Sequence, residues 1–170
     1  KEIVILGRIV RWTEEGITYE ADPKHRRMVL EYFGFDGNSK SLGFNGEKDA
    51  REEEGMNEEL EKSESTEFRG LAARLNFMSL DGPDLQFPVK QVSRDMSKPM
   101  RGSWNKMKKI ARYLLNWESV VWEFKWQNDP HCAHTTSDSD WGGTVGDRKS
   151  TSGGVWMLGI HCIKTWSSTQ

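Results

Sequence analysis

A chain of 170 residues carries 24 Lys and Arg against 26 Asp and Glu, for a formal net charge of -2. That length suits one or two domains, and the near-neutral balance excludes a global field that would gather polyanions. Two cysteines exclude a disulfide framework, and no apolar run approaches the roughly 20 residues of a membrane span. Hydrophobic content of 35% and a mean hydropathy of -0.74 are low for a compact domain. Eight Trp and seven Phe nevertheless require that part of the chain folds. The N-terminus lacks the apolar core of a signal peptide. Both termini read as cut from a longer chain.

Residues 2–12 are rich in β-branched side chains, 14–16 form a turn, and 17–21 resume a strand, which predicts a hairpin. Asp22 followed by Pro23 reads as an N-cap with Pro at the first helical position. The helix then runs to Phe33 and stops at Gly34. Met28, Val29, Tyr32 and Phe33 give its apolar face, and Lys24, Arg26 and Arg27 its wet face. Residues 36–65 read as a disordered linker, Gly/Ser/Asn-rich and then acidic. Between 47 and 67 ten acids stand against three bases, and so few apolar groups cannot offset chain entropy.

Three helices follow. Phe68, Leu71, Ala72, Leu75 and Met78 recur at three- and four-residue steps over 66–79. Leu85, Val89, Val92 and Met96 line a second helix, with Pro88 early in it. Ser103 caps a third over 104–115, whose apolar face is Trp104, Met107, Ile110, Ala111, Leu114 and Leu115. Lys106, Lys108, Lys109 and Arg112 fill the opposite arc. Between 90 and 112 eight bases face one acid, so the neutral total hides an asymmetry between halves. A basic face over an apolar back suits contact with a phosphate backbone, and it equally suits a surface helix in a bundle. Residues 120–126 then alternate as a strand.

The tail begins with acids on alternate positions. Thr136, Asp138 and Asp140 share one strand face, and Ser137, Ser139 and Trp141 the other. A Gly- and charge-rich turn over 142–154 leads to two apolar runs, 155–158 and 160–166, broken at Gly159. A strand that presents carboxylates is one way to hold a hard divalent cation. Arg148 and Lys149, with Ser150, Thr151 and Ser152, form a basic hydroxyl-rich turn that suits either phosphate and ribose contact or ordinary turn chemistry. His131, Cys132, His134, His161 and Cys162 are soft ligands whose spacing matches no common zinc finger.

S-D-S-D-W-G-G, then D-R-K-S-T-S-G-G-V and W-S-S-T-Q, resemble the opening of the ribonuclease H domain in copia-type retrotransposon Pol polyproteins. Upstream, I-L-G-R-I-V-R-W…G-I-T-Y resembles the hairpin that follows the polymerase active site. F-R-G-L-A-A-R-L-N-F-M…P-D-L-Q-F-P-V-K-Q-V-S-R-D-M-S-K-P…W-N-K-M-K-K-I-A-R-Y-L resembles the thumb and connection. Gly82, Ala73, Pro88 and residues 115–117 depart from that family's usual residues.

The resemblance implies an α+β chain in four parts. Residues 1–35 would end the reverse transcriptase palm, 36–65 would be the acidic disordered linker, and 66–127 a helical thumb-like segment. Residues 128–170 would open a partial, three-stranded, antiparallel ribonuclease H-like sheet with exposed edges. Leu6 and Gly7 would help to hold the primer end, while Lys106, Lys108, Lys109, Arg112, Arg148 and Lys149 would contact nucleic acid. Asp138 would be the first of about four carboxylates that hold two Mg²⁺ ions, with Asp140 as second choice. Asp138 is expected on a central strand flanked by the Val155 and Ile163 runs. The partners implied are an RNA–DNA hybrid or template–primer and the remainder of the polyprotein, with no membrane. The location implied is cytoplasmic, including virus-like particles, or nuclear. The polymerase Asp pair and most ribonuclease H carboxylates are absent from the sequence, so the fragment is expected to be inactive alone. A noncatalytic nucleic-acid-binding module and a non-functional transposon relic are the alternatives.

Overall fold

The computed structural model describes residues 1–43, 56–117, 119–143 and 148–170. The strands and helices in chain order are β1 (Glu2–Ile5), β2 (Arg8–Trp12), β3 (Gly16–Glu20), α1 (Lys24–Tyr32), α2 (Lys62–Ser79), α3 (Pro83–Arg94), α4 (Arg101–Leu114), β4 (Val121–Lys125), β5 (Ala133–Ser139), β6 (Thr151–Leu158) and β7 (His161–Thr169). They divide into two compact units. Lys1–Ala21 and Val120–Gln170 form a β unit, and Asp22–Ser119 a helical unit.

In the β unit a four-stranded antiparallel sheet runs β1-β2-β3-β4. The β1–β2 loop is Leu6-Gly7, with φ of 51° and 79°. Positive φ at both loop residues matches the strand twist of a tight hairpin, although Leu adopts it against its own sterics. Register places Ile3, Val10, Tyr19 and Trp122 in one row and Glu2, Arg11, Thr18 and Glu123 in the next. These two rows lie on opposite faces of the sheet, one row apolar and the other polar. On the polar face Arg11 reaches Glu2 at 2.7 Å and Glu20 at 2.5 Å. The β3–β4 seam needs Gly16, because any Cβ there would collide with the Phe124 carbonyl oxygen.

A second antiparallel sheet runs β5-β6-β7. Gly154 makes room for the Trp166 ring on the neighbouring strand. Gly159, at φ 58°, turns β6 into β7. Gln127 fastens that turn: its amide accepts from the Ile160 N–H at 3.1 Å and donates to the Leu158 carbonyl at 3.2 Å. Phe124 of β4 meets His161 of β7 edge-on, with ring centroids 5.6 Å apart.

The helical unit buries Val29 from α1, Phe68, Leu71, Ala72, Leu75 and Met78 from α2, Leu85, Val89 and Val92 from α3, and Met107, Ile110, Ala111 and Leu114 from α4. These are helical stripes at three- and four-residue steps, as the sequence predicts. Met96 lies beyond α3 and is only half-buried. Asp22 accepts the Lys24 N–H at 2.8 Å, and Gly34 closes the far end of α1 at φ 63°.

Several expectations change here. Arg26 does not belong to a wet face: it donates to the Leu114 and Leu115 carbonyls at 2.8 and 2.9 Å, and so satisfies the open end of α4. Helix α2 starts four residues early, because Glu61 and Glu64 form a capping box. Ser103 lies inside α4 and donates to Asp95 at 2.6 Å instead of capping the helix. The disordered reading of residues 36–65 is corrected at both ends. Asp36 closes a turn onto Asn38 and Ser39. Residues 56–60 run against 99–102, with Leu60 N–H bonded to the Pro99 carbonyl at 3.0 Å and Arg101 N–H to that of Glu58 at 2.8 Å. Leu60 is buried, and that local pairing outweighs the acidic composition. The rest of the expected linker, 44–55, lies outside the described residues. The strand of residues 120–126, expected with the thumb-like segment, instead joins the hairpin of residues 1–21 in one sheet.

Candidate nucleic-acid interface

Asp138 sits on β5 opposite Gly153 of β6, and Ser167 of β7 follows in the same row. With no side chain on Gly153, nothing beside the carboxylate covers it across the ladder. Asp138 is exposed, and its Oδ1 accepts the Ser139 N–H at 2.8 Å. The expectation of a central strand is overturned. The sheet order makes β6 central and β5 an edge, exposed at all seven positions. A meander leaves its first strand at the rim unless another segment pairs beyond it. The Val155 run adjoins Asp138 on β6, while the Ile163 run lies one strand further away.

Asp140 has a different task. Its Oδ1 accepts the Thr151 N–H at 2.5 Å, and its own N–H bonds to the Thr151 carbonyl at 3.0 Å. It ties the start of the turn to β6. Gly143 is required beside it, since a Cβ there would strike the Asp140 carboxylate.

Arg148 and Lys149 are exposed at the far side of that turn. Arg148 adopts φ 55°, in the left-handed region that disfavours its side chain. Its guanidinium lies over Gly142, where an added Cβ would be 3.4 Å from Nε and 3.5 Å from Nη2. The sequence did not single out Trp141, whose ring is 94% exposed between these groups. An aromatic set directly before two glycines was the available signal.

On α4 the apolar and basic arcs separate as expected. Met107, Ile110, Ala111 and Leu114 are buried, while Lys106, Lys108 and Lys109 are exposed. Arg112 is half-buried, with its guanidinium 5.9 Å from the Phe35 ring centre. Leu6 and Gly7 form the exposed tip of the first hairpin, where Leu6 is 79% exposed. These groups fall in different units: Leu6, Gly7, Asp138, Asp140, Arg148 and Lys149 in the β unit, and the α4 cations in the helical unit.

Among the described residues no three His, Cys, Asp or Glu side chains gather in a metal-holding group. Asp138 offers one carboxylate and Asp140 spends an oxygen on the Thr151 N–H. A two-metal site of the ribonuclease H kind needs about four carboxylates, and the described residues bring no such cluster together. Cys132 and His134 touch each other at 3.1 Å, while His161 is held by Gln127 at 2.9 Å. Both cysteines are free thiols. No helix among the described residues is long and apolar enough to cross a membrane.

No protein-family model matches the chain, and no solved structure matches it. Curated proteins do. The chain is 34% identical over 105 residues, 62% of its length, to the retrovirus-related Pol polyprotein from transposon RE2 of Arabidopsis thaliana. It is 32% identical over 108 residues, 64% of its length, to that from transposon RE1 of the same plant. It spans 7% of the length of each polyprotein. It is also 32% identical over 100 residues to the secreted RxLR effector protein 161 of Plasmopara viticola, a match covering 59% of this chain and 69% of that protein. Spaced motifs in a single order and 32–34% identity over 62–64% of the chain lead to one statement: this chain is similar to one segment of the retrovirus-related Pol polyproteins of transposons.

Proposed function

We propose that the chain is the joint of a copia-type Pol polyprotein, from the nucleic-acid-gripping end of its reverse transcriptase into the start of its ribonuclease H domain. The intact parent copies RNA into DNA and degrades the RNA strand with Mg²⁺. In this reading the chain itself binds an RNA–DNA hybrid and does not cut it. The observation that carries the reading is α4, which sets Lys106, Lys108, Lys109 and Arg112 on the arc opposite a buried apolar stripe. Such a helix meets phosphates without reading sequence. Exposed Asp138 opposite Gly153 supports a role as the first carboxylate of a site that other segments would complete.

The test is fluorescence anisotropy with a labelled, blunt RNA–DNA hybrid across a salt series. Binding should weaken steeply with salt. Replacing Lys106, Lys108 and Lys109 together by Ala should lower the slope of log affinity against log salt by about 2 to 3. Hybrid binding that ignores both salt and these lysines overturns the reading. Mg²⁺-dependent cleavage that Asp138→Asn abolishes would overturn the inactivity.

A second reading has its own support. The match to the RxLR effector covers 69% of a protein that is not named a Pol polyprotein. A related segment thus occurs in a protein without the Pol name, which supports reading this chain as a noncatalytic nucleic-acid-binding module. Hybrid binding unaffected by Asp138→Asn fits both readings, and the flanking coding sequence separates them.

A further inference from the structure

Trp141 is the most exposed large apolar side chain among the described residues, at 94%. Leaving an indole in water is costly, since its burial is worth several times that of a methylene. Yet the backbone that carries it is fixed on both sides. Asp140 bonds twice to Thr151, through its N–H at 3.0 Å and its carboxylate at 2.5 Å. The Gly142 N–H donates to the Ser150 hydroxyl at 3.0 Å. A ring held at both neighbours and free on its own surface is prepared for a flat partner at low ordering cost.

The surroundings indicate which partner. The Arg148 guanidinium lies over Gly142, the next residue, and Arg148 holds a strained backbone angle of 55° in doing so. Lys149 is exposed beside it. An aromatic face next to a planar five-donor cation is what an unstacked base and its phosphate require. Asp138 and Asp140 oppose an anion here, but Asp140 already accepts an N–H and Asp138 stands two residues back along β5.

We propose that Trp141 stacks on an unpaired base of single-stranded nucleic acid, with Arg148 on the adjoining phosphate. The ligand class follows from the nucleic-acid reading above, but the site is separate from the α4 arc and its strand state differs.

The test uses the whole 170-residue chain and labelled oligo-dT and oligo-rU of about ten nucleotides, enough to span one small ssDNA site. Trp141→Ala should weaken their binding by about five- to a hundredfold, the range of one base–aromatic stack. Trp141→Phe should retain most of the affinity. Arg148→Ala should lower the salt slope by about one. Blunt-hybrid binding should stay within about twofold in both Trp141 variants, since the α4 cations carry it. Wild-type affinity in Trp141→Ala, or equal loss in Trp141→Phe, overturns the proposal. Parallel loss of hybrid and single-strand binding, with altered far-ultraviolet circular dichroism, also overturns it, since Trp141 would then serve the fold. A wild-type chain that binds hybrid but neither oligonucleotide sinks this site and leaves the proposed function standing. Trp141-dependent capture of oligonucleotides without hybrid binding does the reverse.

Discussion

The helical unit and the β unit hold aromatic and aliphatic residues in similar proportion, yet they use them differently. Sixteen apolar side chains are buried among the described residues, and Ala21 alone of these belongs to the β unit. The reason lies in geometry. Four helices turn narrow stripes toward one another and close a core from all sides. A sheet buries a face only when a second layer covers it. The row Ile3, Val10, Tyr19 and Trp122 stays half-covered at best, with Ile3 37% exposed. Apolar burial in this chain is therefore concentrated in one unit, while most of the exposed large apolar side chains among the described residues lie in the other.

The sharpest way to break that contrast is to cut into each side. Phe68→Ala or Leu75→Ala, at fully buried positions, should cost about 3 to 5 kcal/mol, a large share of a small domain's stability. Ile163→Ala, at 43% exposure in β7, should cost below about 1 kcal/mol. Urea unfolding followed by the helical circular-dichroism signal and by Trp fluorescence would show this. Equal losses at both positions would end the contrast.

Two aspartates sharpen it further. Asp84 accepts from the Tyr113 hydroxyl at 2.6 Å and the Trp117 indole at 2.9 Å through the same oxygen. Asp138 is exposed and accepts its neighbour Ser139's N–H at 2.8 Å. Asp84→Ala should lower stability by about 1 to 2 kcal/mol, because Trp117 is buried and loses its acceptor. Asp138→Ala should stay within about 0.5 kcal/mol. The measurement is the thermal midpoint of each variant beside the parent.

The smallest effect is a titration. The hydrogen bond to Asp84, with burial, pushes the Tyr113 hydroxyl up to about 12 from its ordinary 10.0. A raised folded value means that the folded state keeps its proton longer. The contribution is thus complete below about pH 10 and fades as pH climbs toward about 12. Tyr113→Phe should remove that contribution, lowering stability at neutral pH and flattening the alkaline end of the stability curve, read from urea unfolding at a series of pH values. Tyr32, lifted to about 12 by burial and its bond to Glu67, contributes in the same direction.

The helices were legible because their signals are local. Phe68, Leu71, Ala72, Leu75 and Met78 repeat at helical steps, and all five are buried. The Asp138 strand was legible from alternation, but its place at the rim was not, since strand order is set by pairing partners far along the chain. Leu60 was hidden within an acidic stretch whose composition pointed the other way. Arg26 looked like a solvent residue because its targets, the Leu114 and Leu115 carbonyls, lie 88 and 89 positions later. Two departures from the family's usual residues prove to touch. A Cβ on Gly82 would stand 2.9 Å from the Trp117 ring, so a bulky residue at either position limits the other.

The seam at Gly16 has one more implication. Strand β3 ends at Glu20 and its partner β4 begins at Val121, and these two residues are paired in register. Everything between them is an excursion that leaves and returns at one spot. Closing a tether of roughly a hundred residues carries an entropy penalty that grows with the logarithm of its length. Prior collapse of the excursion shortens the effective tether. On that account the fourth strand of the first sheet is zipped late in folding, after the local β1–β2–β3 meander and the helices between β3 and β4.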